Sequence, residues 1–386
     1  MAKENQCHVA IILCDMTRAF DLCNHNVLEK KLEHIGIRGP SLKLMLDFLR
    51  QRHQCVAINN GRTKSDSGNI DIGVPQGSSL ANLCFLIQVN DLPKIVNGEM
   101  YIFADDACDI INANTIPSLE NIIASEICRL QGWFTANGLV LNLHKTQVMH
   151  ICLGGRPPRP LSVNVDGAVL PQVNSTKFLG VTLDAALKWN VHIDVVCGKL
   201  SGACFALSRL ARILPHQQLR TSYFSLFHSV MCYGLEFWGT AAEWQRVFIL
   251  QKRAVRIISY APHGTPARQL FINTNIMTLT SQYLFYIIKY IRKNIHLFPI
   301  KTFKSSRITQ KHKNMLDSTC CRLAKSNKTV SIAGPGIYNK LPDNIKNIEN
   351  DLTFHSQLKK WLTRNAFYDI PCASLTPIHT YTNKYE

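Results

Sequence analysis

The first 190 residues alternate short apolar runs with amphipathic stretches. Val9 to Cys14 is continuously apolar and stops at Asp15, the pattern of a strand buried on both faces. Val27, Leu28, Leu32 and Ile35 have helical spacing, with Gly36 as the stop. Pro40–Ser41 opens a second helix carrying Leu42, Met45, Leu46 and Leu49. Cys55 to Ile58 reads as a strand entering the Asn59–Asn60–Gly61 turn, and Ile70 and Ile72 return ahead of Gly73–Val74–Pro75–Gln76–Gly77. Leu80 to Asp91 is a buried helix closed by Pro93. Met100–Ala104 and Ala107–Ile111 flank Asp105–Asp106, a hairpin pattern. Leu119, Ile122, Ile123, Ile127, Leu130 and Phe134 make an amphipathic helix ended by Asn137–Gly138, with Trp133–Phe134 as core. Thr146 to Leu153 is a strand, Val163 to Val169 a hairpin around Asp166–Gly167, and Lys177 to Leu183 a further strand.

The texture then changes. Helical patterns follow at 192–213, 216–232, 243–259 and 278–294. From Ile300 the chain is basic and loosely patterned, broken by Gly334–Pro335–Gly336 and Leu341–Pro342; Gly154 to Pro160 reads as a surface loop. The plan is an α/β module over 1–190, a helical basic module over 191–300 and a basic C-terminal region over 301–386.

Charge sharpens that division. The chain of 386 residues is 46% hydrophobic and 18% charged, a globular composition, with a formal charge of +17. Residues 1–193 hold 17 Lys and Arg against 17 Asp and Glu, whereas residues 194–386 hold 26 against 9. A neutral half joined to a basic half suits a chemistry module attached to one that grips a polyanion. Fourteen cysteines include no C-x-x-C pair, which disfavours a zinc module; those in apolar runs read as small buried hydrophobes. No signal peptide is visible, and Tyr223 to Trp244, the longest aromatic-rich stretch, is broken before spanning length. The expectation is a soluble intracellular protein of a reducing compartment, nuclear or cytoplasmic, with no membrane partner.

Three carboxylates stand where buried elements end: Asp15 after the first strand, and Asp105 and Asp106 at the hairpin tip. Adjacent acids repel unless solvated or bridged by a cation, and hard divalent cations take oxygen ligands. An Asp–Asp turn in solvent is the plainer alternative, weakened by the apolar arms on both sides.

Here the sequence resembles the reverse transcriptases. Phe103–Ala104–Asp105–Asp106 resembles their central motif, and Asp15–Met16–Thr17–Arg18–Ala19–Phe20–Asp21 their first palm motif. Gly73–Val74–Pro75–Gln76–Gly77–Ser78 resembles the segment between. Leu139 to Thr146 and Lys177 to Val181 resemble the fourth and fifth motifs. Order and spacing fit the non-LTR, LINE-type retrotransposon branch, and Leu250–Ala254 and Ile337–Pro342 resemble the tails of its insect jockey-like group.

The resemblance implies an RNA-directed DNA polymerase with a right-hand palm, α/β with a ferredoxin-like antiparallel sheet, then a helical thumb. Nucleotidyl transfer of this kind uses two divalent cations about 4 Å apart, Mg²⁺ or alternatively Mn²⁺. Asp15, Asp105 and Asp106 would ligate them, assisted by the Met16 carbonyl. Phe20 would exclude a 2′-hydroxyl, Gln76 and Gly77 would line the nucleotide pocket, and Lys145 would contact or protonate pyrophosphate. Lys177 to Val181 would form the primer grip. Arg209, Arg212, Arg220, Lys252, Arg253 and Arg256 would face the phosphates of an RNA template and DNA primer, with dNTPs as substrate.

Two departures from the family matter. The sequence starts 14 residues before Asp15, ahead of which relatives carry fingers and endonuclease segments. Ser79–Leu80–Ala81–Asn82 replaces a Val-Leu-x-Pro-like run, so Asn82 stands in place of a proline. The expectation is an N-terminally truncated enzyme, weakly active or inactive unless a separate chain supplies the fingers. The alternatives are a catalytically inactive nucleic-acid-binding remnant and a different palm polymerase.

Overall fold

The computed structural model describes residues 7–153, 159–301, 315–318 and 321–370. Most of the Gly154–Pro160 loop and much of 301–386 lie outside them. The chain divides into two compact units, one of residues 1–180 and 184–187, the other of 181–183 and 188–386.

The first unit is built on strand β1 (His8–Cys14), as the apolar run dictates. Two helices follow, α1 (His25–His34) and α2 (Gly39–Leu49), then the short strands β2 (Arg52–Gln54), β3 (Ala57–Ile58), β4 (Thr63–Lys64) and β5 (Gly68–Ile70). β2 pairs with β5 and β3 with β4, so the single expected strand over 55–58 is broken into short pieces. Helix α3 (Ser79–Val89) starts at Ser79, where the Ser78 hydroxyl accepts the Leu80 amide. This cap starts the helix without the proline that Asn82 replaces.

Strands β6 (Glu99–Phe103) and β7 (Asp106–Ala113) form the expected hairpin. Helix α4 (Ile116–Ala136) begins earlier than the apolar spacing suggests, because Thr115 caps it and Pro117 fits its first turn. β8 (Gln147–Ile151), β9 (Asn164–Val165), β10 (Ala168–Val169) and β11 (Ser175–Phe178) complete the unit. The main sheet is antiparallel in the order β6-β7-β1-β8. Side chains alternate between the faces of a strand. Ala10, Ile12 and Cys14 of β1 therefore share a face with their partners Ile111, Asp109 and Ala107 of β7. That face packs into a core containing Leu28, Cys84, Phe85, Ile123, Ile127 and Phe134. Trp133 and Phe134 are buried edge to face, as expected.

The strand expected over Lys177–Leu183 is two strands. Leu179 and Gly180 both have positive φ, which stops β11 before β12 (Val181–Asp184).

The second unit is helical. α5 (Asn190–Leu210), α9 (Trp244–Ile258) and α11 (Leu279–Lys293) match expected spans closely, α6 (His216–Tyr223) and α7 (Ser229–Cys232) lie within the span expected over 216–232, and α8 (Leu235–Trp238) and α10 (Ala267–Asn273) fall in none of the expected spans. The helix expected over 216–232 contains a π-helical turn at Phe224–His228. By length and composition α5 alone among the described residues is long and apolar enough to cross a membrane. Its Ile193, Val196, Leu200, Cys204 and Leu207 instead face the helical core. α12 (Val330–Asn339), α13 (Asp343–Lys346) and α14 (Asp351–Asn365) pack into that same core through Ile337, Tyr338, Phe354 and Leu358. Residue 300 is thus no boundary between compact units: residues 321–370 join the helical unit rather than forming a third region.

Candidate active site

β1 and the β6–β7 hairpin carry the three carboxylates to one end of the sheet. Cys14 pairs with Ala107, and Phe103 with Asp106. One further step of this register sets Asp15 beside Asp106. Cys14 and Ala107 belong to the core, so alternation turns Asp15 and Asp106 to the opposite face. The Ala104–Asp105 turn between β6 and β7 needs a left-handed residue, which Ala104 supplies at φ +53°. Partial burial raises the Asp106 pKa above the ordinary carboxylate value, and the charges of Asp105 and then Asp15 raise it further. Asp106 therefore lies within reach of the charges of both Asp105 and Asp15. Among the described residues none of them has a salt bridge to a cationic side chain.

The chain around Asp15 is held by the segment that carries Lys145. Asn142 donates its amide to the Asp15 carbonyl at 3.0 Å, and Thr17 donates to Val140 at 3.1 Å. Met16, buried, bridges to Leu141, and the Asp15 amide lies 3.5 Å from the Thr146 hydroxyl. Lys145 itself is exposed, its amide bonded to the carbonyl and side chain of Asn142.

A second segment docks beside the first motif. Val74 donates to the Phe20 carbonyl at 2.9 Å and Gly73 to Cys23 at 2.8 Å. The Gly73 carbonyl lies 2.7 Å from His25 Nε2 and accepts from Arg52 at 2.6 Å. Gln76 donates to the Asp21 carboxylate at 3.1 Å, and Gly77 has φ +93° with open space where a Cβ would stand. Phe20 is half-buried and stacks on Phe85 of α3. Phe20, Gln76 and Gly77 are thus gathered at one place. His25, Arg52, Asp21 and Phe85, to which the sequence assigned no role, hold them there, and Asn142 holds Asp15. Asp21 and Asn142 stood in quoted motifs; the others carry no local signature.

A divalent cation fits the donor chemistry of Asp15, Asp105 and Asp106, which is all carboxylate oxygen and mutually repelling. Among the described residues, however, no group of three or more His, Cys, Asp or Glu side chains is placed so that it could hold a metal ion.

The basic residues separate into two kinds. Lys177, Arg209, Arg212 and Arg253 are exposed. Arg220 and Arg256 make contacts within the helical unit. Arg220 donates to the Thr274 carbonyl at 2.9 Å and lies over the Phe224 ring; Arg256 donates to Thr265 at 2.8 Å. Both guanidinium groups tie helical segments together. Lys252 lies between them in character, over the rings of Phe248 and Tyr368. Burial lowers its pKa, as do Arg256 and Arg268, with Asp369 opposing.

The antiparallel sheet thus presents three carboxylates at one end, beside a docked lysine loop and a glycine turn. Residues 1–183 match the family "Reverse transcriptase (RNA-dependent DNA polymerase)". The chain is 25% identical over 288 residues to the probable RNA-directed DNA polymerase from transposon BS of Drosophila melanogaster, covering 70% of this chain and 31% of that protein. It is likewise 25% identical over 312 residues to the RNA-directed DNA polymerase from mobile element jockey of the same organism, covering 76% and 33%. The chain thus spans about a third of the length of these relatives. Among solved structures it is similar to apo telomerase from Candida tropicalis, at 12% identity and a TM-score of 0.37, covering 70% of this chain and 45% of that one. Over residues 1–183 the chain is thus similar to reverse transcriptases, and the relatives named are polymerases of a transposon and a mobile element.

Proposed function

We propose that this chain is the polymerase part of a non-LTR retrotransposon reverse transcriptase, which adds dNTPs to a DNA primer on an RNA template. The observation that carries this is the strand register that runs Asp15 and the Asp105–Asp106 turn to the same end of β1 and the β6–β7 hairpin.

The reaction joins the primer 3′-oxygen to the α-phosphorus of a dNTP, breaks the bond to the β-phosphate oxygen, and releases the hydroxyl proton and pyrophosphate. Two divalent cations, Mg²⁺ or Mn²⁺, would supply Lewis acidity at the hydroxyl and charge neutralisation at the triphosphate. Asp15, Asp105 and Asp106 would hold them, with the Met16 carbonyl alongside. Phe20, braced by Phe85, would close the space a 2′-hydroxyl needs. Gln76, held by Asp21, and Gly77 would bound the nucleotide, Gly77 by admitting close approach to backbone. Lys145 would give a proton to the departing pyrophosphate oxygen. The exposed Arg209, Arg212 and Arg253 would meet template and primer phosphates, a contact that weakens with salt.

The test is extension of a DNA primer on an RNA template by the purified chain with Mg²⁺ and dNTPs, beside an Asp105→Asn/Asp106→Asn variant. Extension that the variant loses supports the reading. Template–primer binding with no extension favours the second reading, a nucleic-acid-binding remnant.

A further inference from the structure

Three cationic side chains meet in the helical unit with no carboxylate paired to any of them. Lys252 and Arg256 are four residues apart on α9, a spacing that puts both on one side of the helix. Arg268 comes from α10, which packs against α9. Tyr368, beyond α14, joins them. Lys252 Nζ lies 4.8 Å from the centre of its ring and the Arg268 guanidinium carbon 4.6 Å. Lys252 Nζ also lies 4.9 Å from the centre of the Phe248 ring, which meets Tyr368 edge to face.

The fold fixes this meeting. Phe367, next to Tyr368, is buried; its amide donates to the Ser281 hydroxyl at 3.2 Å and its carbonyl accepts from Thr278 at 2.5 Å. The Tyr368 carbonyl accepts from the Thr280 hydroxyl at 3.1 Å. The Arg256 Nε–H bond to the Thr265 carbonyl ties the turn before α10 to α9.

All three cations are half-buried, so each has lost part of its hydration. Among the described residues none of them forms an ion pair. Lys252 feels the charges of Arg256 and Arg268, which repel it, and of Asp369, which attracts it. Three cations against one carboxylate leave a net charge of +2. Ring faces attract cations but carry no net charge, so they leave that excess in place. A phosphodiester between the heads would offset it, with oxygens that accept from ammonium and guanidinium alike.

We propose that Lys252 and Arg268, with Arg256 beside them, bind one backbone phosphate of a nucleic-acid strand. Arg268 is the member that sequence could not supply, because only the packing of α10 on α9 brings it to Lys252. Such a contact is blind to base sequence. The proposal deepens the polymerase reading and rests on it for the class of ligand.

The test measures binding of the full chain to an oligouridine RNA over a range of salt. Lys252→Gln/Arg268→Gln is expected to weaken binding roughly fivefold at about 0.1 M salt and to make the salt slope shallower by roughly 0.7, one phosphate contact on a single strand. Lys359→Gln/Lys360→Gln, which removes the same charge from exposed positions on α14, is expected to keep the slope. Arg268→Lys is also expected to keep it, which separates charge from packing. An unchanged slope in Lys252→Gln/Arg268→Gln overturns the proposal, as does an equal change in the α14 variant or an equal loss in Arg268→Lys. Calorimetry with inorganic phosphate tests the other source of the same chemistry. Phosphate binding that Lys252→Gln/Arg268→Gln loses, with oligouridine binding unaltered, would make the ligand a free anion and overturns the proposal too. Extension by Asp105→Asn/Asp106→Asn reports on the polymerase reading and does not enter the salt slope.

Discussion

Phe20 stacks on Phe85, the ring centroids 4.4 Å apart and the planes 28° from parallel. Phe85 is buried in α3 while Phe20 is half-exposed, so the helix fixes a ring that faces the nucleotide segment. Phe85→Ala should cost about 3–5 kcal/mol of stability. Phe20→Ala should cost less, because part of that ring is already in water. Its signature should be increased incorporation of ribonucleotides, read by primer extension with dNTPs and rNTPs in parallel, together with chemical denaturation of both variants.

Gly73 has φ +82°, and a Cβ there would stand 2.7 Å from the Asp21 carbonyl oxygen. Gly73→Ala should therefore destabilise by about 1–3 kcal/mol and displace the segment that carries Gln76. Raised KM for dNTP in a chain that still folds is the expected kinetic sign.

Asp109 is fully buried on the core face of β7, and neither carboxylate oxygen has a hydrogen-bond partner among the described residues. Burial and then the charge of Glu126 push its pKa up to about 6. The unfolded chain ionises this group near pH 3.8. Between those values the folded state holds a proton that the unfolded state has lost, so stability is fullest below about pH 4, falls as pH rises through about 6, and is flat beyond. The penalty above pH 6 is on the order of 2–3 kcal/mol. Asp109→Asn should remove this slope and raise Tm at pH 8, measured by thermal melts from pH 4 to 8.

Much of the site was legible because its parts lie in short contiguous runs. Val9–Cys14 ending at Asp15, and the paired apolar arms around Asp105–Asp106, each carry their own pattern. What was not legible joins residues distant in sequence. Nothing near Phe85 marks it as the support for Phe20, and the motif that contains Asn142 does not say that its amide holds the Asp15 carbonyl. Arg220 and Arg256 read as phosphate ligands because charge on a helix looks alike whether it faces solvent or a carbonyl. The Lys177–Leu183 run reads as one strand until the left-handed pair Leu179–Gly180 breaks it. The basic composition beyond residue 300 hid the apolar stripe of Ile337, Tyr338, Phe354 and Leu358 that joins it to the helical core.

Burial pushes the thiols of Cys14 and Cys23 up to about 12, whereas Cys55 and Cys128 are exposed. Native alkylation should therefore modify Cys55 and Cys128 and spare Cys14 and Cys23, which react only after unfolding. Peptide mapping of the alkylated chain checks this. Early modification of Cys14 would place the end of β1 in solvent and undo the geometry given for Asp15.

The most direct measurement compares single-turnover primer extension on an RNA template by the unaltered chain and by Asp15→Asn, Asp105→Asn and Asp106→Asn, with template–primer affinity measured in parallel. The account predicts that each substitution slows nucleotide addition at least a hundredfold while affinity for the template–primer stays within a few fold. Equal extension in all four chains, or a loss of extension that merely follows a loss of binding, would contradict it.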